Sequence, residues 1–72
     1  MSGVGDVVLA FADESAITLW SVTATQGWVY NVERDGPRSV VIKFFNTQTH
    51  DEAEFQAELE GNRIKVEVGG DD

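Results

Sequence analysis

The stretch Glu52-Ala53-Glu54-Phe55-Gln56-Ala57-Glu58-Leu59-Glu60-Gly61-Asn62-Arg63-Ile64-Lys65-Val66-Glu67-Val68 decides the fold. In its first nine residues Ala53, Phe55, Ala57 and Leu59 alternate with Glu52, Glu54, Gln56, Glu58 and Glu60. Successive side chains of a strand point to opposite faces, so this spacing gives one apolar and one charged face. Residue preference pulls the other way. Glu, Ala, Gln and Leu favour helix, Thr49 or Asp51 could cap one, and Gly61 could end it. Geometry arbitrates: at about 100° per residue, Ala53 and Ala57 would lie nearly opposite Phe55 and Leu59, leaving no single apolar stripe to bury. A strand over 52–60 is preferred, with a helix over 51–60 as the alternative.

The residues that follow agree with a strand. Arg63-Ile64-Lys65-Val66-Glu67-Val68 alternates as well, and Gly61-Asn62 is a two-residue link of the kind that closes a tight hairpin. Pairing Glu60 with Arg63 sets Leu59 against Ile64, Glu58 against Lys65, Ala57 against Val66 and Phe55 against Val68. The apolar pairs share one face, and two pairs of opposite charge occupy the other, each worth ~0.2–1 kcal/mol. A slip of one residue would lose both patterns.

Upstream the same alternation recurs. Trp28, Tyr30 and Val32 share a face, Asp35-Gly36-Pro37-Arg38 makes a turn, and Val40, Ile42 and Phe44 return on the same face. Before them, Asp6 to Ala12 and Ala16 to Ala24 are β-branched or apolar runs separated by Asp13-Glu14-Ser15 and joined onward through Thr25-Gln26-Gly27. The expected fold is all-β: about six strands in consecutive antiparallel hairpins, forming a small sandwich or a partly closed barrel. Seventy-two residues leave room for one domain, 1–72, and the ends 1–5 and 69–72 are expected to fray.

Composition removes several function classes. There is no cysteine, hence no disulfide framework, thiolate metal site or thiol nucleophile. The formal net charge of -8 opposes extended contact with a phosphate backbone, so direct nucleic-acid binding is not expected. The longest apolar run, Val7 to Ala12, is too short to span a bilayer, and the first residues lack the basic and apolar pattern of a secretory signal. A cytoplasmic protein is the first expectation. A secreted or extracytoplasmic domain whose signal has been removed is the alternative.

Chemistry-bearing residues are sparse. His50 is the one histidine and lies in the polar loop Asn46 to Asp51; a triad with Ser15, Ser21 or Ser39 would need a nucleophile elbow, which is absent. His50, Glu52 and Glu54 would project together at i, i+2 and i+4 and could suit zinc or manganese, but solubility already explains that alternation. Glu52, Glu54, Glu58 and Glu60 on an outer strand face are too hydrated to split into a catalytic acid and base. No enzymatic activity, metal or cofactor is expected, and no segment matches a family motif closely enough to transfer residues.

The surface is more informative. Residues 1–33 contain no Lys or Arg, whereas 51–60 carries five acids and no base. Parity conflicts on two strands, since Phe44 opposes Phe45, and Ile17 and Leu19 oppose Trp20 and Val22. Large apolar groups should therefore lie outside the core. The expected function is a protein-protein interaction or regulatory module whose contact surface is the acidic face Glu52, Glu54, Glu58 and Glu60 with an aromatic patch of Trp20, Val41 and Phe45. Its partner would be a protein with a basic surface, and homodimerisation is expected from the small core volume. Two alternatives are an acidic nucleic-acid mimic that blocks a DNA- or RNA-binding protein, with Asp51 joining the glutamates, and a small-ligand or carbohydrate module stacking on Trp28 and Tyr30.

Overall fold

The computed structural model describes residues 3–13, 15–61 and 63–71. Strands β1 (Gly5–Asp13) and β2 (Ala16–Ala24) form a two-stranded antiparallel sheet. Strands β3 (Trp28–Asp35), β4 (Ser39–Asn46), β5 (Glu52–Glu60) and β6 (Arg63–Asp71) form a four-stranded antiparallel meander in sequence order. The fold is thus all-β, with six strands in two sheets and no helix among the described residues. The segment 52–60 is strand despite its helix-forming composition, because only the strand buries Phe55, Ala57 and Leu59 on one side.

Register follows the hydrophobic pattern. Glu60 faces Arg63, Leu59 faces Ile64, Glu58 faces Lys65, Ala57 faces Val66 and Phe55 faces Val68. One ladder joins the last two expected hairpins into a single sheet: β4 pairs with β5 from Ser39 opposite Glu58 to Phe45 opposite Glu52. Gly5 is buried in β1, and β6 continues through Gly69, opposite Glu54, to Asp71, opposite Glu52. Pairing with β5 gives one side of this polar tail's backbone its hydrogen-bond partners, which its composition does not reveal. Met1, Ser2 and Asp72, with Glu14 and Asn62 of the expected turns, lie outside the described residues.

The core comprises Val40, Ile42 and Phe44 of β4, Phe55, Ala57 and Leu59 of β5, and Ile17 of β2. The β1–β2 hairpin lies over this face, with Val7, Leu9, Leu19 and Val22 packed against it. Two of the three register shifts bear on that packing. In β1–β2, Val8 faces Ser21 and Leu9 faces Leu19, so Trp20 has no opposite number. This bulge shifts parity by one, which lets Ile17, Leu19 and Val22 all point inward and turns Trp20 out. The sequence expectation set Val22 beside Trp20; the extra residue overturns it. A second bulge, at Glu33, returns Asp35 to the inner face opposite Val40.

Asp35 then joins the layers. Its Oδ1 accepts the Leu19 backbone N–H at 2.8 Å and the Thr18 hydroxyl at 3.2 Å. The Ile17 N–H donates to the Pro37 carbonyl at 2.7 Å, and the Leu59 N–H to the Arg38 carbonyl at 2.7 Å. The turn after β3 is therefore held by both sheets.

Candidate functional site

The outward face of the four-stranded sheet carries the glutamates singled out in the sequence. Glu52, Glu54, Glu58 and Glu60 form one column down β5, with Glu52, Glu58 and Glu60 exposed and Glu54 half-buried. Alternate residues on a strand lie about 6.6–6.8 Å apart. The ladder interleaves this column with cations. Lys43 stands opposite Glu54, Lys65 opposite Glu58 and Arg63 opposite Glu60, while Arg34 stands opposite Val41. Four of the five basic residues thus share a face with the acids. The column is a striped surface of both signs: the expected pairs of Glu58 with Lys65 and Glu60 with Arg63 are present, and antiparallel pairing with β4 adds Lys43 beside Glu54. Ion pairs join Lys43 to Glu33 at 3.9 Å and Lys65 to Glu67 at 3.3 Å. The Glu67 carboxylate, through hydrogen bonding and charge, with further attraction from Glu60 and Glu58, holds the Lys65 ammonium above its ordinary pKa.

Val41 and Phe45 occupy this same face but do not meet Trp20. Val41 lines a shallow depression with Glu33, Arg34, Ser39, Gln56 and Glu58. Phe45 stacks on the His50 ring, with centroids 5.9 Å apart and planes 20° from parallel, and Val29 stands opposite it in the ladder. Trp20 lies on the outward face of the other layer, on the far side of the sandwich. The expected aromatic patch is therefore two separate surfaces.

The loop 47–51 explains what His50 does. Asn46 Oδ1 accepts the Gln48 and Thr49 N–H groups at 2.8 and 2.9 Å, and the His50 N–H donates back to the Asn46 carbonyl at 2.9 Å. His50 then adopts φ +68°, a left-handed geometry that takes it out of the strand alternation with Glu52 and Glu54. Among the described residues no three His, Asp or Glu side chains converge on a common point. Ser39 begins β4 while His50 follows its other end, and Ser15 adjoins the β2 segment bonded to Pro37, also at the far end; Ser21 lies on the outer hairpin face. No serine candidate is brought to the histidine.

Trp28 packs against the core, and Tyr30 tilts against Phe44 at 6.2 Å while remaining 46% exposed. The feature that sequence parity hinted at but did not place is the hairpin's outer face. Trp20 is 74% exposed there, beside exposed Val8 and the acidic Asp6, with Ser21 and Thr23 completing the strand. The signal for it was the mismatch between Leu19 and Val22, which only a bulge resolves. Among the described residues there is no helix long and apolar enough to cross a membrane. No protein-family model matches the chain, and comparison with curated proteins and with solved structures finds no match.

Proposed function

We propose that the protein acts without catalysis, as a protein-interaction or regulatory module that docks a partner on the outward face of the β1–β2 hairpin. The observation that carries this reading is Trp20, the most exposed large apolar side chain among the described residues, held outward by a bulge within a paired strand. Rigid aromatic anchors of this kind dominate binding energy at protein interfaces, and bulges re-aim side chains at functional positions. The absence of Lys and Arg from residues 1–33 makes the rim of this surface acidic, which favours a partner with a basic surface. The striped β5 face fits a phosphate mimic poorly, since Lys43, Lys65 and Arg63 would repel the basic groups that such a mimic must attract.

Affinity capture from the source organism with wild type, Trp20→Ala and Glu52→Lys/Glu54→Lys/Glu58→Lys variants tests this. One captured protein should be lost with Trp20→Ala and retained by the triple variant. Capture indifferent to Trp20 but lost in the triple variant would move the docking surface to the four-stranded sheet and overturn the assignment to the hairpin.

A further inference from the structure

Strand β6 ends the four-stranded sheet, so one side of its backbone has no neighbouring strand among the described residues. Its inward residues Val66 and Val68 remain 52% and 57% exposed, because the hairpin covers the centre of the sheet and stops short of this edge. Long edges with exposed valines invite strand addition. From the self-complementary charge pattern of β6, we infer that its occupant is a second copy of this chain, added antiparallel about a two-fold axis through Val66.

The register follows from the sequence of the strand. With Val66 opposite Val66, Lys65 of each copy stands opposite Glu67 of the other, Ile64 opposite Val68, and Arg63 opposite Gly69, where the site is open. A slide of the axis to Lys65 sets lysine against lysine, and one to Glu67 sets glutamate against glutamate, so of the three registers only the one centred on Val66 forms its charge pairs without a like-charge clash. An axis between residues would turn the apolar face of one copy to the charged side of the other. Centred on Val66, the charged row runs Glu58, Lys65, then Glu67 and Gln56 of the second copy. The apolar row runs Phe55, Val68, then Ile64 and Leu59 of the second copy. The product is one eight-stranded sheet with both hairpins on the same face, an isologous pairing that closes at two copies.

Charge exchange tests this without disturbing the core. Sedimentation of wild type should show a reversible dimer of the 7.9 kDa chain at micromolar to millimolar concentration. Lys65→Glu and Glu67→Lys should each weaken it roughly tenfold or more, by placing like charges opposite one another twice per dimer. The double variant should restore it. An equimolar mixture of the two single variants should form the heterodimer that neither forms alone. Val66→Lys, at a half-exposed position that the monomer tolerates, should abolish pairing while circular dichroism stays unchanged. A wild-type monomer at every concentration, or a dimer insensitive to these exchanges, would overturn the inference.

Discussion

Gly36 is the point where the two layers meet backbone to backbone. Its φ is +71°, and a Cβ there would overlap the Ile17 carbonyl oxygen. Gly36→Ala is therefore expected to cost more than about 2 kcal/mol: the left-handed penalty of ~1–2 kcal/mol plus displacement of the hairpin. Gly61 has a similar φ of +63° but nothing within 4 Å of the position a Cβ would take. Gly61→Ala isolates the conformational cost, about 1 kcal/mol, and urea denaturation of the two variants should separate them; equal losses would mean that the Gly36 contact is not felt. Asp35 gives a second residue-scale expectation. Removing its Oδ1 leaves the exposed Leu19 N–H to water, so Asp35→Ala should lose about 1 kcal/mol and Asp35→Asn, which keeps an acceptor oxygen, less. Neither role was legible in the sequence, where Asp35-Gly36-Pro37 reads simply as a turn. The contact with Ile17 joins residues far apart in the chain, and no local pattern encodes it.

At the scale of elements, legibility tracked distance along the chain. The β5–β6 register was readable because a two-residue link and two alternating strands leave one pairing that aligns both apolar and charged faces. The β1–β2 bulge was readable only as a parity conflict among Ile17, Leu19, Trp20 and Val22. Which residue would be expelled depended on the inner face of a sheet formed later in the sequence. The acidic column was legible together with its β6 neighbours Lys65 and Arg63, whereas Lys43 comes from β4, and its place beside Glu54 required the whole ladder. Lys65 offers a test of the charges along β6. Its pKa is raised above 10.5, chiefly by hydrogen bonding to Glu67, so its contribution to folding is complete below pH 10.5 and disappears as pH climbs through the raised value. The stability difference between wild type and Lys65→Gln, followed by thermal unfolding, should accordingly be steady below pH 10.5 and vanish above it. A difference that persists at the alkaline end would assign the role of Lys65 to packing of its stem.

For the whole molecule, the net charge of -8 is distributed unevenly over a body of 40 × 20 × 19 Å. The outer face of the four-stranded sheet holds most of the cations, and residues 1–33 hold none, so repulsion is least relieved on the hairpin. Raising ionic strength from about 0.01 M to about 0.15 M shortens the screening length from ~30 Å to ~8 Å and should raise the urea midpoint. A falling midpoint would show that exposed ion pairs outweigh the repulsion. The meander has a kinetic consequence as well. Every ladder joins strands adjacent in the chain, so no long loop has to close before its first pairing forms, and the search for the native topology stays local. Refolding should then be fast for an all-β chain, with β4 and β5 supplying the nucleus, since they hold six of the seven buried apolar residues among those described.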